Sequence, residues 1–522
     1  MPPTLEYIVL NRLGYGHSTK SLQAIRQLGV GKYLEEQLNP QAKDEEADAA
    51  IAAALLEINY NNKGTRVKEL RPLSTLNKKN AELWAIRIEN KAHAEKIRPA
   101  QEVLLATILR ARYSRWQLRE ILADFWHNHF NVNAFGDDKI AVLFPTYDRD
   151  VIRKHIFGNF RAFLEAVAQS PCMLYYLNNA QSKASPANEN YARELFELHT
   201  FGAPNYLNNL YDQWRDVPKD KDGNAKGYID EDVYEAARAF TGWTVADGSH
   251  NGKGSNLPNT GEFHYLEAWH DQYQKRVLGI EIPHHQSAMA DGQKVLDILA
   301  NHPATARYVC RKLCQRLVSD NPPNALIDKA VATWQKQISN PNQLKEVVRT
   351  IITAPEFADT YGQKTKTPLE LVVSLARAAD APVRPNQHLY YMLQNMGQQL
   401  FGWATPTGHP DDTKFWLNTN MLLARWNVVA ALLQEDWHGI MTIDPATWLG
   451  DQRKSSYQLA QDWIIRLLGA ATDDKTTNTL AAFLAQGGST DEPPMFNNER
   501  EARWHLSNAL TLLAQLPTFQ KK

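Results

Sequence analysis

The sequence predicts an all-α protein, a large multi-helix assembly around a central cleft with long loops rich in aromatic residues, Gly and Pro. Three observations carry this reading. Apolar residues recur at the 3.6-residue spacing of a helix from residue 5 to residue 515, caps and stops bound many of these segments, and strand-like alternation is nearly missing. At 522 residues the chain can bury a large core. It reads as one helical unit over 1–522, with an N-terminal helical subdomain over 1–112, cleft-forming helices within 115–286 and a C-terminal helical region over 287–522.

Residues 5–13, 20–28 and 30–38 read as short helices, with Ser18 or Thr19 as a cap and Gly29 as a stop. An Ala- and acid-rich helix over 44–58, a polar basic connector over 62–79 and a long helix over 80–112 follow. Ser114 and Gln117 have the spacing of a capping box opening a helix over 115–130. A helix pair covers 149–178. Ser185 and Pro186 then predict an N-cap and first turn, and Gly202 a stop, for a helix over 186–201. A loop over 203–229 leads to a helix over 231–244, and 245–286 reads as a long loop or short hairpin region. Helices resume at 291–300, 303–318, 323–338, 342–353, 367–379 and 387–400. An aromatic, Pro-containing loop at 401–413 precedes helices at 414–434, 456–468, 476–485 and 499–515.

A net charge of −1 leaves no electrostatic footprint for nucleic acid, and the basic run 110–119 reads as a solvated helix face. Three cysteines, Cys172, Cys310 and Cys314, argue against a disulfide scaffold and a zinc–thiolate site. No apolar run reaches transmembrane length. The first residues lack the charged and apolar regions of a signal peptide, so the chain reads as cytoplasmic or as the processed form of an exported protein. Phosphate-loop, nucleophile-elbow and dinucleotide motifs are missing. Fourteen Trp and twenty Tyr suit a cleft that stacks on flat ligands or sugar rings as well as a core.

The helix over 186–201 organises the functional reading. Tyr191, Leu195 and Leu198 form one apolar stripe, while Asn190, Glu194 and Glu197 recur at the same spacing on another. Either Glu197 pairs with Arg193 on a wet face, or two carboxylates enter one cavity, where unpaired charge must be satisfied or used. In D-F-W-H-N-H-F at 124–130, Asp124 and His127 are three apart and fit a metal grip, an acid–base pair or a local hydrogen bond. His129 falls in the apolar stripe of that helix and reads as a core histidine. Asp232 and Glu235 make a third polar pair; three such helices follow the pattern of bundles with internal acidic or metal sites. In D-K-D-G-N-A-K-G-Y-I-D-E, Asp220, Asp222, Asn224 and Glu231 match calcium-loop positions, but Ala225 stands where the sharp turn needs Gly, so the segment reads as a surface turn, with a calcium loop as the alternative.

These residues predict a hydrolase with Asp124, Glu194, Glu197 and Asp232 as the general acid and base candidates. Its extended substrate, a glycan or polysaccharide, would be gripped by Trp126, Asn190, Trp243, Trp269 and Trp403. A second reading is a metal-dependent oxidoreductase or hydrolase with a divalent metal on His127 and Glu194. A third is a non-catalytic binding or scaffold protein for surface assembly.

The motifs D-F-W-H-N-H-F, N-E-N-Y-A-R-E-L-F-E-L-H-T-F-G, D-V-Y-E-A-A-R-A-F-T-G-W and H-P-A-T-A-R-Y-V-C-R-K-L occur in this order. With L-N-R-L-G-Y-G near the start and L-L-A-Q-L-P-T-F-Q near the finish, the chain resembles the bacterial Domain of Unknown Function 1800 family over nearly its whole length. Many members of that family look exported. The threonine that the family places after the tyrosine before D-V is Ile229 here, which removes a side-chain cap. The family carries no assigned function, so the resemblance transfers no catalytic residue.

Overall fold

Local signals start many of the helices. The Ser18 hydroxyl accepts the Ser21 backbone N–H while the Ser21 hydroxyl accepts that of Ser18, and this box opens the helix Thr19–Leu28. Gly29, at φ +77°, ends it. Thr367 and Glu370 make a second box before the helix Pro368–Ala378. The ring of His302 caps the helix Pro303–Leu317 by accepting the Ala304 N–H. The structure, a computed structural model, describes residues 3–62, 64–89, 92–251, 254–433, 439–442, 448–450 and 453–522. Residues 63, 90–91, 252–253 and 434, within the predicted segments 62–79, 80–112, 245–286 and 414–434, lie outside the described residues.

The fold is mostly helical rather than all-α, because three two-stranded antiparallel sheets interrupt the helices. Leu55–Asn62 pairs with Thr65–Pro72, where a helix end and a connector are predicted. The cause is visible in burial: Leu56 and Ile58 point inward at a period of two, which a helix cannot satisfy. Trp243–Asp247 pairs with Asn259–Tyr265, and Lys275–Val277 with Ile280–Ile282. The predicted helix over 231–244 is therefore shorter, Asp230–Ala239, and Gly242 at φ +82° turns the chain into the strand. The long helix over 80–112 is two, Asn80–Ile88 and His93–Tyr113. The main hydrophobic core runs from Ile8 to Phe519, and Leu118, Ile121 and Leu122 of the helix Gln117–His129 are fully buried in it. Among the described residues no helix is long and apolar enough to cross a membrane.

The segment predicted as a helix over 186–201 departs most from expectation. Ser185 and Pro186 are exposed and precede the helix, which runs only Asn190–Glu194 before a π-helical turn, Leu195–Thr200. The wider turn is closed by bonds five residues back: the Phe201 N–H to Phe196 O at 2.9 Å and the Thr200 hydroxyl to Leu195 O at 2.6 Å. This change of period breaks the predicted stripe. Leu195 stays fully buried, while Leu198 rotates to a half-buried position. Leu195→Ala is expected to cost about 2–5 kcal/mol in a denaturant titration, the usual range for a buried leucine, and Leu198→Ala distinctly less. Equal losses would contradict the π turn.

Candidate functional site

The π turn also sets the carboxylates. Glu194 ends the α-helical stretch and Glu197 sits within the wider turn, both half-buried. Arg193 is drawn elsewhere: its guanidinium reaches Glu189 at 3.2 Å and Asp230 at 3.3 Å. Among the described residues neither Glu194 nor Glu197 has a hydrogen-bond or ion-pair partner. The expected alternative, a Glu197–Arg193 pair, does not form. Burial pushes the Glu194 carboxyl up to about 7; the charge of Glu197 adds to this and Arg193 opposes it.

Three phenols adjoin the pair. Burial pushes Tyr176 and Tyr308 up to about 12 and Tyr228 higher still. The charge of Glu194 adds to the effect at Tyr176, that of Glu197 at Tyr308, and both at Tyr228. These hydroxyls are therefore neutral donors beside the carboxyls, and that of Tyr228 is buried without a partner. Gly202, at φ +87°, lets the chain leave the π turn against Tyr308, because a Cβ there would lie 2.6 Å from the ring.

Raised protonation of Glu194 has a consequence for stability. Its carboxyl holds a proton more firmly folded than unfolded, so its contribution weakens as pH rises from the ordinary 4.5 to about 7. Glu194→Gln is thus expected to raise the unfolding midpoint at pH 8 and to leave it nearly unchanged at pH 4. An equal shift at both would contradict the assignment.

Beyond Tyr308, the same helix Pro303–Leu317 forms one wall of a cleft of about 300 Å3. The helix Gln117–His129 supplies Asp124 and Asn128, and the 401–412 loop supplies His409 and Asp411. Asp124 pairs with Arg316 at 3.0 Å, Arg316 pairs with Glu370 at 2.9 Å, and Glu370 also meets the Lys522 ammonium. Burial pushes the Asp124 carboxyl up against the opposing pull of Arg316, whereas Arg316 and Lys522 hold Glu370 well below the ordinary carboxylate range despite its burial.

The loop is held by amides that sequence reasoning passed over. Asn128 donates to His409 O at 2.8 Å and accepts the His409 N–H at 2.6 Å. Asn131 donates to Trp403 O at 3.1 Å and Thr405 O at 2.8 Å, and the Tyr176 hydroxyl donates to Ala404 O at 2.9 Å. Gly408, at φ +67°, is required for the approach: a Cβ would lie 2.3 Å from Asn128 O. Tyr176 thus touches the loop that lines the cleft and adjoins Glu194.

A family model described as Protein of unknown function (DUF1800) matches residues 8–521. The chain belongs to the DUF1800 family. No curated protein and no solved structure matches it.

In this DUF1800 chain the sequence-predicted residues separate. Asp124 lines the cleft, Glu194 and Glu197 form the unpartnered pair, and Trp403 lies half-buried in the loop with its ring 4.4 Å from that of His409. Asp232 has a structural task instead. Its two oxygens accept the N–H groups of Ile229 at 3.0 Å and Leu278 at 2.6 Å. It thereby satisfies the helix end where Ile229 lacks a capping oxygen. Burial pushes this carboxyl up to about 6, with those N–H groups opposing.

His127 does not join Glu194 around a metal; its Nε2 meets Asp148 at 2.9 Å. Asp148 also takes Arg153 at 2.9 Å, and Arg153 takes Glu120 at 2.7 Å, so the imidazole belongs to a buried ion network. Trp126 and Trp243 are core residues, packed against Phe163 and Phe240 at 5.1 and 5.2 Å. Asn190 is exposed on the first helical turn. Trp269 is half-buried, donates to Asn251 O at 3.2 Å and carries Lys183 4.2 Å from its ring centroid.

The segment after Asp220 forms the surface turn that the sequence predicts. Asp220 accepts the N–H groups of Asp222 and Asn224, each at 2.9 Å, and its second oxygen takes the Asn224 amide. The carboxylate therefore closes its own turn. Among the described residues no group of three or more His, Cys, Asp or Glu side chains is placed to hold a metal ion.

Proposed function

We propose that this DUF1800 protein is a hydrolase that works by carboxylate general acid–base chemistry on an extended, hydroxyl-rich substrate such as a glycan. The observation that carries this reading is the Glu194–Glu197 pair. Two neighbouring carboxyls kept half-buried without a protein partner are costly, and the π turn that places them is a deviation often associated with functional sites. Burial and the charge of Glu197 raise the Glu194 carboxyl to about 7, so a substantial fraction keeps its proton near neutral pH. Glu194 then gives its proton to the leaving oxygen while the Glu197 carboxylate takes one from the attacking water. The Tyr308 hydroxyl supplies a hydrogen bond to a substrate oxygen, and Trp403 supplies a stacking face.

The test is release of new reducing ends from a panel of polysaccharides by wild type, Glu194→Gln and Glu197→Gln. Product from wild type and loss of it in both variants supports the reading. Glycan binding without product from wild type would favour the scaffold alternative.

A further inference from the structure

Lys312 lies one turn beyond Tyr308 on the helix Pro303–Leu317 and lines the cleft. Its ammonium is 5.5 Å from the centroid of the Tyr308 ring, and among the described residues it has no ion-pair or hydrogen-bond partner. The carboxylates of the cleft are directed to other groups. Asp124 is held by Arg316, Asp411 by Lys364 at 2.9 Å, and Asp412 accepts the Lys414 N–H at 2.8 Å.

Free donors accumulate on the same walls. Gln398 is buried, and its Oε1 accepts the Leu369 N–H at 2.8 Å, leaving the amide Nε2 without a protein acceptor among the described residues. His129 and His199 add no charge beside Lys312. Burial and the charge of Lys312 hold both imidazoles below their ordinary range and therefore neutral. Lys312 and the Gln398 amide are therefore two donors lining one cleft with no protein acceptor among the described residues. Unmet donors of this kind are costly unless a ligand or water supplies them.

We propose that Lys312, with the Gln398 amide, forms a subsite for an anionic group, a carboxylate or a sulfate, carried by the ligand that occupies this cleft. Burial pulls the Lys312 ammonium down to about 8, with Asp411 opposing, so it stays mainly protonated at neutral pH. An anion in contact favours the charged form further. The choice of an acidic oligosaccharide as that ligand rests on the proposed hydrolase; the anion contact does not.

Binding of three probes to the full chain at fixed ionic strength tests this: a galacturonic acid trisaccharide, a sulfated neutral trisaccharide and its unsulfated parent. Wild type is expected to bind at least one charged probe ten-fold or more tighter than the neutral one. Which charged probe wins distinguishes carboxylate from sulfate. Lys312→Met should remove that preference without changing affinity for the neutral probe, and Lys312→Arg should keep most of it. Glu194→Gln should leave the preference intact even where it abolishes turnover, so failure of the catalytic reading is told apart from failure of the subsite. Thermal unfolding of each variant checks that it folds; if Lys312→Met does not, the wild-type comparison and Lys312→Arg decide. The proposal is overturned if charged and neutral probes bind wild type alike, if none binds, or if folded Lys312→Met keeps the preference.

Discussion

Glu194→Gln is expected to lower kcat by about 10²–10⁴-fold on any glycan the wild type cleaves, the usual contribution of a positioned general acid. The amide matches the carboxyl in size and donates hydrogen bonds, but it has no proton to give. Because Glu194 has no protein partner among the described residues, the substitution breaks no hydrogen bond or ion pair there. The fold should therefore survive, with the midpoint above pH 7 higher than that of wild type. Loss of stability with unchanged kcat would make Glu194 an architectural residue. In the wild type, turnover should fall as pH rises through about 7, when Glu194 loses the proton it must donate.

The largest stability effect is expected at Arg316. Its guanidinium is 4% exposed at the side chain and bridges Asp124 to Glu370, with Lys522 on the far side of Glu370. Arg316→Met keeps most of the volume but leaves Asp124 without an ion-pair partner beside a second carboxylate. Removing one member of a buried pair costs about 3–5 kcal/mol, because the remaining charge stays desolvated. Adding Asp124→Asn should recover some of the loss, which a double-variant cycle in urea would measure. A cost below about 1 kcal/mol for Arg316→Met would show that the bridge is solvated.

The legible features of this protein are local. The Ser18 box, the Gly29 stop and the core stripe of Leu118, Ile121 and Leu122 follow from neighbours within a few residues. The pairing of Glu194 with Glu197 was legible for the same reason. The π turn was not: it depends on packing that buries Phe196 and His199, and Y-A-R-E-L-F-E-L-H fits an ordinary helix equally well. The hairpin from Leu55 to Pro72 was hidden because its alternation is short and follows an Ala-rich helix.

Long-range partners were also out of reach. His127 has a carboxylate three residues back, yet it pairs with Asp148, 21 residues on. Asp124 is bound by Arg316, 192 residues away. The basic residues of R-K-L-C-Q-R-L, one helical turn apart after Tyr308, were the available signal for that wall of the cleft. Nothing near them in the sequence marks Arg316 as paired and Lys312 as free. Tryptophan content misled in the other direction, since Trp126 and Trp243 fill the core.

The central claim is that Glu194 holds a proton near neutral pH beside Glu197. Carboxyl-13C NMR of protein labelled at glutamate, compared with Glu194→Gln, measures it directly. One resonance should titrate with a midpoint near 7 and vanish in the variant. If every glutamate resonance of the wild type titrates at or below the ordinary 4.5, the pair holds no proton at neutral pH, and the acid–base account is contradicted.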